Sequence, residues 1–183
     1  ETIFSDAISS IWFCCLINSS FIALNNAGSD LDKKALGLVS QLKTLLKEKT
    51  KLIKNLFPND QLDNLDKCIS PSDFGFHNAL VNKHKEIYFF DFEYAGWDDP
   101  VKLICDFFCQ PQVPIPLKYF ESFSNSVLGH SRNKEYLISR AKTSFPLFQI
   151  KWCCILLNEF LPKHIGRRSF AGSVDNIEEK KLT

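Results

Sequence analysis

Three side chains in the middle of the chain are of the types that handle phosphate and protons. Asp73 and Asn78 stand five positions apart in SPSDFGFHN (residues 70–78). Asp91 follows thirteen positions after Asn78, at the head of DFEYAGWDDP (residues 91–100). Transfer of a phosphoryl group from a nucleotide to a hydroxyl requires such a set. A carboxylate beside the acceptor oxygen orients it and takes its proton. The triphosphate brings Mg2+, a hard cation that binds carboxylate and amide-carbonyl oxygens. Because the catalysis is mostly positioning and charge neutralisation, these groups must sit on rigid backbone. One loop can present Asp73 and Asn78 to a shared centre, and a hairpin can return Asp91 to it. The plainer reading of Asp73 and Asn78 is Asx-turn chemistry in a loop. Asp91 in register beyond the hairpin favours the chemical one.

The elements that must position them follow from periodicity. Leu31, Ala35, Leu38, Leu42, Leu45, Leu52 and Leu56 recur at helical spacing, predicting one helix with Asp30 as its N-cap and an end at Phe57-Pro58. The lysines beside that stripe (Lys43, Lys47, Lys49, Lys51 and Lys54, with Glu48) read as a solvated face. ALV after Asn78 and IYFFDFE from Ile87 are short β-forming runs joined by the polar NKHKE, which predicts a hairpin. AGWDDP is expected to break the strand. Asp98-Asp99-Pro100 then reads as a helix cap with Pro in the first helical position, opening a helix over 101–108 that QPQVPIP stops. Helices are expected at 117–129, 132–143 and 146–161, the last buried on most of its surface. The fold class is therefore mainly α with a small β-hairpin, in three parts: a helical lead-in (1–67), the catalytic-loop and hairpin segment (68–110), and a helical C-terminal part (111–183).

Composition narrows the partners. The chain has 183 residues, 45% of them hydrophobic, and its 17 Phe supply ample core material. A net charge of +1 gives no electrostatic reason to expect nucleic acid or an anionic membrane. The seven Cys are odd in number and show no CxxC, so free, mostly buried thiols are expected rather than zinc or a disulfide framework. The apolar run Ile8–Leu24 is interrupted at Asn18, Ser19 and Ser20 and led by Glu1 and Asp6. That predicts a buried helix, neither a membrane span nor a signal peptide, and a cytoplasmic location.

D-x-x-x-x-N, the step across a hairpin to DFE, and then AGWDDP with a later CDFF (residues 105–108) resemble the catalytic and metal-binding loops of the protein-kinase-like superfamily. Within it the match is to the aminoglycoside phosphotransferase and choline kinase branch, over roughly residues 68–110. The resemblance implies a kinase-like C-terminal lobe, with ATP (or GTP) and Mg2+ as cofactors and a small-molecule hydroxyl as acceptor. It implies Asp73 as catalytic base, Asn78 and Asp91 as Mg2+ and nucleotide-phosphate ligands, Glu93 in or beside the metal shell, and Asp106 as a structural acid. Pro71-Ser72 stands where that family places His-Gly. No Gly-rich phosphate loop and no strand Lys precede Asp73, so the nucleotide-covering N-terminal lobe is expected to be missing from this chain. A catalytically silent lobe serving as a binding or scaffold module is the alternative. Tyr94, Trp97, Trp152 and Glu159 raise a cation cage, with core packing preferred for Trp152. His77 is read as exposed or loop-bonded rather than as a phosphate contact, and Arg167-Arg168 as a solvated tail rather than a phosphate grip.

Overall fold

A computed structural model describes residues 30–58 and 62–157. The helix expected over Ile8–Leu24, and Glu159, Arg167 and Arg168, lie outside the described residues. The element order is α1 (Asp30–Leu56), β1 (Cys68–Ser70), β2 (Ala79–Val81), β3 (Ile87–Phe89), β4 (Gly96–Asp98), α2 (Pro100–Cys109), α3 (Phe120–Val127) and α4 (Lys134–Leu157). Single 3-10 turns lie at Asn64–Asp66, Phe76–Asn78 and Leu117–Tyr119. The chain is thus mainly helical, with two small antiparallel two-stranded sheets. No helix among the described residues is long and apolar enough to cross a membrane.

Helix α2 is the centre of the fold, packed against α4, α3 and β1. Asp99 accepts Val101 N–H at 2.8 Å as its N-cap, and Pro100 occupies the first turn, where no donor is lost. Val101, Leu103, Ile104, Cys105, Phe107 and Phe108 are all buried, so α2 is apolar around most of its circumference. The Gln110 side chain then folds the following loop back, its Oε1 accepting Gln112 N–H and Val113 N–H at 3.0 and 3.1 Å.

Helix α1 packs on α4 with a different phase from the expected one. Ala35, Val39 and Ile53 are buried, with Leu42 and Leu46 partly so against the core, whereas Leu38, Leu45, Leu52 and Leu56 stand exposed. Two neighbouring apolar rows run along this helix, less than one residue's rotation of about 100° apart. Both satisfy helical spacing, and only the shape of α4 selects between them. Lys47, Glu48, Lys51 and Lys54 are exposed, in keeping with a solvated face.

Two further expectations are corrected. The helices expected at 132–143 and 146–161 form, within the described residues, one helix that runs through Pro146. Proline costs a helix interior about 3 kcal/mol. The carbonyl it frees belongs to the exposed Lys142, within reach of water, and buried residues on both sides (Leu137, Ala141, Leu147, Phe148) hold the helix in line. AGWDDP does not end pairing either. Gly96–Asp98 forms β4, antiparallel to β1, with Cys68 opposite Asp98 and Ser70 opposite Gly96. The expected hairpin is present as β2–β3, with Ala79 opposite Phe89 and Val81 opposite Ile87. Its loop is built by Asn82, whose Oδ1 accepts His84 N–H and Glu86 N–H, and by Lys85 in the left-handed region at φ 64°.

Two polar links close the core. Arg140 of α4 meets Asp99 at 2.7 Å, with both side chains 1% exposed. Asp66 accepts from Ser131 Oγ at 2.5 Å and from Asn133 Nδ2 at 2.9 Å, tying the turn before β1 to the start of α4. Arg140→Met leaves the buried Asp99 carboxylate without its cation, and urea denaturation should show a loss of about 3–5 kcal/mol. Burial raises the Asp66 carboxyl, but the hydrogen bonds from Ser131, Asn133 and the backbone outweigh it and hold the group below its ordinary value. A depressed folded pKa stabilises above the unfolded value of about 4 and loses that contribution as pH falls through the folded one. Asp66→Asn should therefore flatten the fall in stability below about pH 4, measured by denaturation across an acid pH series.

Candidate active site

The loop between β1 and β2 carries the candidate base. The Ser70 hydroxyl, itself buried, accepts Ser72 N–H at 3.1 Å. With Pro71 fixing the preceding φ, Ser72 is turned into the left-handed region at φ 73°. The chain then places Phe74 inward, its ring 4.8 Å from Phe89 of the hairpin and 5.1 Å from Phe107 of α2. Asp73, one residue earlier, is left facing solvent with its side chain 53% exposed.

Asn78 closes the loop. Its backbone N–H reaches Gly75 O at 3.0 Å, and its Nδ2 donates to Asp73 O at 3.0 Å. Because the NH2 end is committed to a carbonyl, the amide oxygen is the end left available to a cation. Hairpin pairing continues one step past β2–β3, as Phe90 N–H donates to Asn78 O at 3.0 Å. That bond sets Phe90 opposite Asn78 and delivers Asp91 at the next position. Asp91 has φ 64°, so the chain turns sharply there and β3 ends. Register, not proximity in sequence, sets the Asp91 turn one residue beyond the partner of Asn78.

Glu93 lies two residues further on, exposed, beside Tyr94, whose phenol it pushes up by hydrogen bond and charge. Among the described residues no three His, Cys, Asp or Glu side chains converge as a metal cluster, so Glu93 does not complete an all-acid site with Asp73 and Asp91. The donors that do fit Mg2+ are the Asn78 amide oxygen and the Asp91 carboxylate, both hard oxygens. Such an ion takes one or two protein ligands and completes its shell with water and phosphate.

Behind the loop sits a charge relay that sequence reasoning missed. Lys102 Nζ lies 2.8 Å from Asp98 Oδ2, 3.6 Å from Asp106 Oδ2 and 3.4 Å from Ser72 O. Burial works against its charge, but Asp106 and Asp98 hold the ammonium above its usual range. Asp106, 2% exposed, also binds Lys151 Nζ at 2.6 and 2.8 Å and Trp152 Nε1 at 3.0 Å. Asp106 thus links Lys102, and through it the Ser72 carbonyl, to Lys151 and Trp152 of α4. The available signal was the i, i+4 row Asp98, Lys102, Asp106. Trp152 is half-buried, its indole donating to Asp106, whereas Tyr94 and Trp97 are 74% and 66% exposed.

Beyond Phe76 opens a cavity of about 540 Å3, walled by Phe76, Phe107, Ile115, Tyr119 and Phe123. Its Ser122 and Ser126 hydroxyls are spent on helix carbonyls, at 3.0 and 3.1 Å, and no charged side chain lines it. The described thiols offer no nucleophile. Burial, reinforced by Asp98 and Asp99, pushes Cys68 up to about 11, and burial takes Cys109 and Cys154 to about 12. No family model, no curated protein and no solved structure matches the chain.

Proposed function

We propose that the chain is the C-terminal lobe of a kinase-like small-molecule phosphotransferase. The observation that carries this is the joining of Asp73 to Asn78 through Asn78 Nδ2 and of Asn78 to the Asp91 turn through the Phe90–Asn78 bond. Asp73 accepts the proton of the acceptor hydroxyl. The acceptor oxygen forms a bond to the γ-phosphorus of ATP or GTP, the bond to the bridging oxygen breaks, and the nucleoside diphosphate leaves with that electron pair. Asn78 and Asp91 would hold Mg2+, which neutralises charge on the phosphates when bound.

Two further features support the reading. Ser72 stands where the resembled family places Gly, and its φ of 73° is a conformation that favours glycine. The hairpin beside Asn78 and Asp91 leaves Leu80, Val81, Ile87, Tyr88 and Phe90 between 43% and 67% exposed. That is the surface a nucleobase and a covering lobe would bury. On the other side of Phe76, the uncharged aromatic cavity suits an acceptor alcohol with a neutral, apolar body. It offers no carboxylate to the ammonium groups of a polyamine.

Calorimetric titration of Mg2+–ATP into the intact protein tests this. The expected result is Mg2+-dependent binding that Asp91→Ala removes, with Asp73→Asn leaving binding in place while lowering turnover by about 10²–10⁴-fold. Full turnover in either variant overturns the assignment, and absence of Mg2+–ATP binding by the intact protein favours the silent binding module.

A further inference from the structure

His77 is the one ionisable side chain of the catalytic loop to which the proposed chemistry gives no part. Its side chain is 9% exposed, its Nε2 lies 3.1 Å from Asp73 Oδ1, and its Nδ1 is buried without a hydrogen-bond partner. We propose that His77 is the positioning residue of the candidate base, clamping Asp73 through Nε2–H, and that Gly75 exists to admit its ring. The inference rests on the reading of Asp73 as base.

The direction of the bond follows from the buried nitrogen. A proton on Nδ1 would be a donor with no acceptor, which folded chains avoid more strictly than an unused acceptor. The proton therefore sits on Nε2, and His77 donates to Asp73 Oδ1. One carboxylate oxygen is occupied from inside the loop, and the other stays free to take a proton from the solvent side. Asp73 is more than half exposed, so without this bond its side chain would sample several rotamers. Near-attack geometry requires one of them. The same assignment removes His77 as a phosphate ligand, because it has no donor left to offer.

Gly75 shows that the arrangement depends on close packing. Its φ of 178° is ordinary extended backbone, so no conformational demand calls for glycine there. A Cβ at that position would stand 2.6 Å from His77 Nδ1, 2.8 Å from Cε1 and 3.0 Å from Gln110 Cγ. Gln110 is held by its bonds to residues 112 and 113 and cannot yield freely. The imidazole would have to move outward, taking Nε2 away from Asp73. Gly75→Ala therefore breaks the clamp while leaving both partners in the chain.

Two readouts test this on the whole protein. Long-range proton–nitrogen NMR should show His77 as the Nε2–H tautomer near neutral pH, with its signals displaced by Asp73→Ala and by Gly75→Ala. In turnover with Mg2+–ATP and water as acceptor, Gly75→Ala and His77→Ala should lower kcat about 10–100-fold. KM should stay unchanged, while the displaced imidazole lowers the melting midpoint of Gly75→Ala. His77→Gln, which keeps an N–H donor, should recover most of the rate, and in an Asp73→Asn background none of these changes should matter further. An Nδ1–H tautomer, or a loss carried in KM, overturns the clamp. Turnover lost in Asp73→Asn but untouched by Gly75→Ala and His77→Ala overturns the positioning role alone. Turnover that survives Asp73→Asn overturns the base reading and the role with it, and leaves the tautomer as a structural bond only.

Discussion

The buried carboxylate of Asp99 is the constraint on which the rest depends. One of its oxygens caps α2 at Val101 N–H and the other faces Arg140 of α4 at 2.7 Å. A buried ion pair adds little net stability over an apolar pair of similar volume, because desolvation consumes most of the attraction. What this one does is join the first turn of α2 to a single position on α4. With that turn fixed, the row that follows on α2 has its direction settled. Lys102 meets the loop carbonyl of Ser72, Asp106 meets Lys151, and Phe107 meets Phe74.

The loop between β1 and β2 is accordingly held from beneath by two kinds of contact. Polar contact comes from Lys102, one cation set among the Ser72 carbonyl, Asp98 and Asp106. Apolar contact comes from a run of phenylalanines. Phe89 of the hairpin touches Phe74 of the loop, Phe74 touches Phe107 of α2, and Phe107 stacks on Phe123 of α3 at 4.3 Å. Hairpin, loop and helices thus share one aromatic seam. Since α2 supplies both the lysine and a central phenylalanine, a change at its first turn reaches the loop without touching it.

How much of this was legible depends on whether the signal was local. The hairpin, the Asp99 cap with Pro100, and the joint appearance of Asp73, Asn78 and Asp91 are written in spacings and turn residues that act over a few positions. The phase of α1 is not, because Leu38 and Val39 are equally good helical neighbours and the surface of α4 decides between them. Pro146 reads locally as a break, and the packing of α4 on both sides overrides it. The β1–β4 pair joins segments that no turn connects, so neither segment announces its partner. His77 was legible only as exposed or loop-bonded, and with its side chain 9% exposed the second of these holds. Its bond to Asp73 depends on Gly75 allowing the ring close, a property of three-dimensional packing rather than of residue type.

The two ends of the site are also the two places where the backbone is forced. Three described non-glycine residues have positive φ, and two of them are Ser72 and Asp91; the third, Lys85, turns the hairpin loop. Such conformations cost of order 1–3 kcal/mol each and persist only where the surroundings over-determine them. At Ser72 the surroundings are the Ser70 hydroxyl, Pro71 and Lys102; at Asp91 they are the end of the β2–β3 pairing. Connections that needed only to join β1 to β2 and to leave β3 would relax at these two points with glycine. Holding a serine and an aspartate there instead aims Asp73 and Asp91 from fixed turns on either side of Asn78. The phosphoryl transfer proposed above, which would proceed by positioning and charge neutralisation, would call for that rigidity, and the hairpin and one face of Asp73 remain exposed.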